Sequence, residues 1–153
     1  MIEKDFVQLI KKDRYQVFLF SCPASFPFSI FLHYWFVINE KGKISRYEVL
    51  FRNTHQKNKF SHFYVNFMPP TRGIGVFPFF SKYSWNGDLE ASIDSKTAEK
   101  MIKIIKNSSK NYPYCNNYNL LGPNSNTYIK WVINRFPVLK IKLSWRAIGK
   151  NYI

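Results

Sequence analysis

Carboxylates are scarce in this sequence, with 9 Asp and Glu against 23 Lys and Arg, so the net charge is +14. No acidic residue follows Glu99, whereas basic residues continue to Lys150. Such a field favours encounter with anionic partners, namely nucleic acid, acidic proteins or a membrane surface. The alternative is codon bias, since Lys outnumbers Arg and an A/T-rich genome favours Lys. The charge therefore predicts a Lys-rich surface and leaves its purpose open.

Cysteine and histidine are also rare, at two and three residues. Cys22 and Cys115 are too far apart in sequence for a CxxC metal motif, and three histidines without clustered cysteines argue against structural zinc. No phosphate-binding loop, EF-hand or HExxH pattern occurs. We therefore expect no metal and no cofactor, and we expect two reduced thiols rather than a disulfide.

Long hydrophobic runs are missing as well. The longest, Phe26 to Ile38, is interrupted by Pro27, Ser29 and His33, so no transmembrane segment is expected. The N-terminus mixes charges with apolar residues, unlike a signal peptide. With few cysteines, this favours a cytoplasmic protein. Apolar residues at 46% exclude disorder, and the length favours one domain spanning residues 1–153.

Alternating apolar residues predict an antiparallel sheet. The clearest strand, Ile30 to Ile38, ends at the turn signal Asn39–Gly42, and period two places His33 and Trp35 on one of its faces. Further strands are predicted at Tyr15–Phe20, which Pro23 ends, and at Ser45–Phe51 and His62–Phe67. The stretch Thr71–Leu89 is typical of an ordered loop or a short hairpin.

Three helices are predicted. Residues 2–12 form a short amphipathic pattern with Phe6, Leu9 and Ile10 on one face. Asp94 or Ser95 caps a second helix, whose apolar residues recur at helical spacing. The third runs from about Asn126 to Phe136 and stops at Pro137. It is apolar on most sides, so we expect it to be buried. The fold class is therefore α+β, with an antiparallel sheet packed on a buried helix.

The start of that third helix, Asn124–Thr127, is the main candidate site. A buried helix N-terminus presents free N–H groups and a positive dipole, which lower the pKa of a hydroxyl and hold an oxyanion. Ser125 is the candidate nucleophile, with Asn124 or backbone amides supporting the oxyanion. The alternative is that Asn124 or Ser125 is only the helix cap.

His33 is the candidate base, because it is the one histidine on a clearly buried strand. Its alternative role is that of a core histidine bonded to a carbonyl. Glu48 either orients His33 or pairs with Arg46. His55 and His62 are expected at the surface.

Cys22 is a poor nucleophile candidate, because Pro23 follows it and no helix begins there to lower its pKa.

The residues also resemble a known family. The runs FLHYWFVI, GPNSNTYIKWVINRFP and WRAIGKNY resemble the uncharacterised bacterial family called domain of unknown function 3750, over about Val17 to Tyr152. That resemblance implies no established activity.

A more distant likeness is to circularly permuted papain-like proteins, which include NlpC-type peptidases and lecithin:retinol acyltransferase-like enzymes. In that group a strand histidine precedes an Asn-Cys motif that opens a buried helix. His33 and Asn124–Tyr128 match these elements, although Ser125 stands where the group has cysteine. The likeness implies a permuted papain-like architecture with His33 facing the helix start.

Three functions remain open. The first is a hydrolase or acyltransferase that uses Ser125, His33, Glu48 and Asn124, or a related protein that has lost catalysis and keeps a binding cleft. The second is a basic, non-enzymatic module that binds an anionic partner. The third is an interaction domain that presents exposed aromatics between Phe77 and Trp85.

Overall fold

The computed structural model describes residues 1–51, 61–78, 80–94 and 96–152, without the side chains of Phe80 and Ser81. Its helices are α1 Glu3–Leu9, α2 Lys96–Lys106, α3 Ser108–Asn111 and α4 Ser125–Ile133, followed by a 3-10 helix at Pro137–Leu139. Its strands are β1 Tyr15–Pro23, β2 Leu32–Glu40, β3 Lys43–Val49, β4 Phe63–Val65, β5 Arg72–Phe77, β6 Phe80–Asn86 and β7 Asp88–Ile93.

Five strands form one antiparallel sheet in the order β4-β3-β2-β1-β7, and β5 pairs with β6 in a separate hairpin. The α+β prediction is confirmed. The turn between β2 and β3 was predicted correctly: Lys41 and Gly42 have φ of 52° and 96°, as a two-residue hairpin turn requires.

The sheet is covered on both faces. Alternate residues of β2, including Tyr34, Phe36 and Ile38, pack with the apolar sides of α2 and α4; we call this the helix face. The opposite face includes Trp35 and Val37, which pack with α1 and the β5-β6 hairpin; we call it the hairpin face. Since β1 and β2 are buried on both sides, each contributes side chains to two cores.

Some elements differ from the sequence-based prediction. The strand β1 continues to Pro23, which pairs with Leu32 at the last register position, where a missing N–H is tolerated. The stretch predicted as a loop or hairpin forms the β5-β6 hairpin, and the edge strand β7 that follows it was not predicted. The prediction at Ser95 lies outside the described residues, whereas Asp94 is hydrogen-bonded to Lys11.

Among the described residues, no helix is long and apolar enough to span a bilayer.

Candidate functional site

Three polar side chains on the hairpin face form a buried network. Arg46 and Glu48 lie on β3, and His33 lies on the neighbouring strand β2. One carboxylate oxygen of Glu48, Oε2, accepts from Arg46 at 2.7 Å and from His33 Nε2 at 3.3 Å. Their side chains are exposed by 1% for Arg46 and Glu48 and by 5% for His33. Glu48 thus takes both of the roles that the sequence left open.

Electrostatics fix the protonation of this network. Burial lowers the pKa of His33, although the Glu48 carboxylate opposes that shift. Burial alone would raise the pKa of Glu48, but the hydrogen bond from His33 and the charge of Arg46 outweigh it and lower the pKa. At neutral pH, therefore, a neutral His33 donates Nε2–H to an ionised Glu48. The second ring nitrogen, Nδ1, keeps a lone pair that can accept a hydrogen bond.

Arg46 also ties the network to the chain that enters β5. Its guanidinium donates to the carbonyl oxygens of Pro69, at 2.8 Å, and Arg72, and lies 4.2 Å from the ring centroid of Trp35. Trp35 Nε1 donates to the carbonyl of Pro70 at 2.8 Å. Within the described residues, Glu48 Oε1 and Arg46 Nε are buried without a hydrogen-bond partner. The network therefore has capacity for one more donor at the carboxylate.

A cavity of about 710 Å³ opens against His33. Its wall is mainly apolar, formed by residues such as Phe28, Leu50, Met68 and Ile74. Polar groups are few, and the Ser25 hydroxyl among them already donates to the carbonyl of Gly75 at 2.6 Å. Volumes of this size and apolar walls with a few oriented polar groups are typical of small-molecule sites.

The candidate run at the start of α4 is a capping structure. Asn124 Oδ1 accepts from the backbone N–H groups of Asn126 and Thr127, at 2.9 and 3.2 Å. Thr127 Oγ1 accepts from the N–H of Asn124, which completes a capping box. Two of the backbone amides that could hold an oxyanion are therefore bonded to Asn124.

The same run fixes the C-terminal segment. Asn124 Nδ2 and Asn126 Nδ2 both donate to the carbonyl of Ile148, and Thr127 Oγ1 donates to the carbonyl of Gly149 at 2.7 Å. Asn126 Nδ2 also donates to Leu32 on β2. These bonds join the helix start, the sheet and the last part of the chain at one point.

Ser125 is buried, with 3% of its surface exposed, and lies near the phenol of Tyr118, which lines the cavity. Burial raises the pKa of Tyr118 to about 12, so it is a neutral phenol. The helix that Ser125 opens packs on the helix face, whereas His33 stacks on Trp35 on the hairpin face. Among the described residues, no hydrogen bond joins His33 to Ser125. The structure brings His33 and Glu48 together on the hairpin face, whereas Ser125 opens a helix that packs on the helix face, because alternate side chains of β2 point to opposite faces.

Other sequence-based expectations have clear outcomes. Both cysteines are free, and burial raises the pKa of Cys22 to about 12, so its thiol is unreactive at neutral pH. The prediction that His62 lies at the surface was wrong: it is 5% exposed, because it stacks on Phe51 and packs against the tilted ring of Tyr118. His55 lies outside the described residues. Of the aromatics predicted to be exposed, Tyr83 is 58% exposed, whereas Trp85 packs against the hairpin-face core.

Arg46 and Tyr118 were not predicted as part of a site. An arginine on a strand with alternating apolar neighbours is a sequence signal for a buried cation. The sequence around Tyr118 contains no comparable signal that it belongs to a site. Within the described part of the chain, no group of three or more His, Cys, Asp or Glu side chains could hold a metal ion.

Comparison with known proteins gives a family and no activity. The sequence model of a family described as "Protein of unknown function (DUF3750)" matches residues 14–152. No curated protein and no solved structure matches the chain. Since the match covers all but the first thirteen residues and the last, the chain belongs to the DUF3750 family.

Proposed function

We propose that this domain binds a small molecule with an apolar body in the His33 cavity, and that a polar group of the ligand donates a hydrogen bond to His33. The observation that carries this is His33, which lines a mainly apolar cavity and is joined through Glu48 to the buried Arg46. Burying three such groups is unfavourable unless they are fully paired. Within the described residues Glu48 Oε1 is unpaired, so the network to which His33 belongs can take up a further hydrogen bond.

The apolar part of this proposal can be tested with Nile red, a neutral dye whose fluorescence rises in apolar sites. We expect binding to the wild-type protein and at least tenfold weaker binding to Ala24→Leu, because the larger side chain fills space at the cavity wall. Val138→Leu is the control, since Val138 is 75% exposed and does not line the cavity. Equal binding by both variants would rule out the cavity as the dye site.

The polar part is tested by displacing the dye with medium-chain alcohols. His33→Phe keeps an aromatic ring but removes the acceptor, so we expect alcohols to bind roughly fivefold more weakly, as the loss of one hydrogen bond predicts. Nile red itself should bind His33→Phe nearly as well as wild type. If alcohols displace the dye equally from both proteins, His33 does not contact the ligand.

A second candidate is hydrolysis or acyl transfer, in which Ser125 is the nucleophile, His33 the base oriented by Glu48, and Asn124 supports the oxyanion. The observation that favours it is that Ser125 lies near Tyr118, because Tyr118 lines the cavity that His33 also lines. This reaction requires Tyr118 to move, so that Ser125 reaches the cavity. A neutral His33 with a free Nδ1 would then take the hydroxyl proton.

A fluorophosphonate probe tests this second candidate. Labelling of the wild-type protein that disappears in Ser125→Ala and drops in His33→Phe would support it. Ser108→Ala is the matched control, because Ser108 is also a buried helical serine. Absence of labelling under conditions in which Nile red binds would leave ligand binding as the function.

A further inference from the structure

The mouth of the cavity is surrounded by exposed apolar side chains. Phe28, Phe51 and Leu120 line the cavity, yet they are 44%, 70% and 45% exposed. Phe67, which also lines the cavity, and Phe26 and Leu121, which lie next to lining residues in the sequence, are exposed by 41% or more. We call the following set the apolar rim: Phe26, Phe28, Phe51, Phe67, Leu120 and Leu121.

The rim is assembled from separate parts of the chain. Phe26 and Phe28 follow β1, Phe51 follows β3, and Leu120 lies in the connection between α3 and α4. Phe26 packs 6.1 Å from Phe77, the last residue of β5, so the β1-β2 connection meets the hairpin at this place. Isolated exposed apolar residues are ordinary, but several that converge around one opening mark an interaction surface.

Charge is distributed unevenly with respect to the rim. None of the nine acidic residues falls in the segments that build it, which are residues 24–30, 50–51, 67–68, 74–78 and 118–121. Glu48, which is bonded to the cavity residue His33, is also bonded to Arg46. Arg146 donates to the carbonyls of Ser29 and Ile30, which places a cation beside Phe28. The same segments contain no Lys or Arg, so the rim is an uncharged surface, with Arg146 beside it, on a protein whose net charge is +14.

We propose that the apolar rim docks onto an anionic phospholipid bilayer, with its phenyl and leucyl groups in the boundary between headgroups and acyl chains. Each basic residue near such a surface raises the affinity for the membrane about fivefold. Apolar side chains on a basic protein are the features that interfacial binding uses. Docked in this way, the cavity opens toward the membrane, where apolar molecules concentrate. This last step rests on the proposed ligand-binding function; the docking itself does not.

A bilayer fits this surface better than a folded protein does. A protein partner needs a complementary shape, and a flat one placed over a cavity of about 710 Å³ would leave unfilled space. Fluid lipid adapts to side chains that come from separate segments. It also supplies molecules with an apolar body that fill the opening.

Sedimentation with vesicles tests the docking. We expect the wild-type protein to sediment with vesicles of phosphatidylcholine mixed with phosphatidylglycerol, and much less with phosphatidylcholine alone. Added salt should weaken binding by screening the attraction. The double variant Phe28→Ser with Leu121→Ser should lower the partition coefficient roughly tenfold or more, because two apolar groups leave the interface.

A matched control removes the same kind of surface elsewhere. Val7 and Val138 are 62% and 75% exposed, and neither lines the cavity, so Val7→Ser with Val138→Ser should bind vesicles as the wild type does. Thermal unfolding confirms that both double variants fold. Docking is overturned if the two double variants lose vesicle affinity equally or if the rim variant binds vesicles normally. It is also overturned if the wild type binds no vesicles, whether or not it binds an acidic protein.

The cavity-filling variant separates this inference from the proposed function. Ala24→Leu leaves the rim intact, so it should bind vesicles normally even though it binds Nile red poorly. Vesicle binding without dye binding by the wild type would preserve the docking and remove the ligand site. Dye binding without vesicle binding by the wild type would preserve the ligand site and remove the docking.

Discussion

Arg46 and Glu48 are the residues whose side chains are most fully withdrawn from water while carrying charge, and each depends on the other. Replacing Arg46 by Met leaves the Glu48 carboxylate buried without its main partner. We expect the free energy of unfolding to fall by about 3–5 kcal/mol, as happens when one member of a buried pair is lost. Urea unfolding followed by tryptophan fluorescence measures the change.

The double variant Arg46→Met with Glu48→Leu is the control for this prediction. It removes both charges and leaves no unpaired ion, so its stability should be closer to wild type than that of Arg46→Met. A double variant less stable than the single one would show that the unpaired Glu48 carboxylate is not what destabilises Arg46→Met.

His33 predicts a pH dependence of stability. Burial lowers its pKa in the folded state, so as the pH falls the unfolded chain takes up the proton first. Stability should therefore decrease below about pH 6.5, with a slope that approaches about 1.4 kcal/mol per pH unit. The lowered pKa of Glu48 acts in a separate, more acidic window.

The pH dependence is measured by denaturant unfolding between about pH 7 and 5. His33→Gln should remove most of the slope in that range. An unchanged slope in His33→Gln would mean that the pKa of His33 is the same in the folded and unfolded protein.

At this scale the sequence showed which residues could matter, but not which ones meet. His33 and Glu48 were paired correctly, because adjacent strands of a hairpin place alternate side chains on a common face. Ser125 could not be placed against His33 from the pattern. The alternation along β2 predicts that His33 and Tyr34 lie on opposite faces of the sheet. Only the packed structure shows which of these faces carries α4.

Among the elements, α4 depends most on a distant part of the chain. Gly149 has φ of +81°, and a Cβ built there would lie 2.3 Å from Asn124 Nδ2, in the capping box. Gly149→Ala must therefore strain the backbone and displace the cap. We expect a loss of roughly 3 kcal/mol or more, combining backbone strain with the lost cap.

Gly42→Ala is the matched comparison, because Gly42 also has positive φ, at +96°, but its Cβ would meet nothing nearer than 3.8 Å. It should cost only the backbone strain, about 1–2 kcal/mol. Chemical denaturation of both variants gives the difference. Equal losses would show that the cap tolerates displacement.

The strands that the sequence predicted best are those buried on both faces. By contrast, β7 follows a Gly/Pro/aromatic stretch and alternates with acidic residues, so its pattern resembles a loop. Its place beside β1 comes from tertiary pairing, which local patterns do not encode. The short helix α3 was missed for the same reason.

The whole molecule has two cores, which share β1 and β2 and therefore should unfold together. We expect one cooperative transition. Ile102→Ala, on the helix face, and Phe20→Ala, on the hairpin face, should each lower the free energy of unfolding by about 2–5 kcal/mol. Neither variant should split the transition in two. Coincident fluorescence and circular dichroism curves would support one domain over residues 1–153; separate curves would contradict it.

The bonds between the α4 cap and the carbonyls of Ile148 and Gly149 also set an order of events during synthesis. A ribosome releases the strands of the sheet long before it releases residues 146–149. Until then Asn124, Asn126 and Thr127 lack acceptors that they use in the finished protein, and the helix start stays incomplete. The nascent chain can thus form its sheet early, whereas the region around Ser125 matures only when nearly all of the described chain has left the exit tunnel.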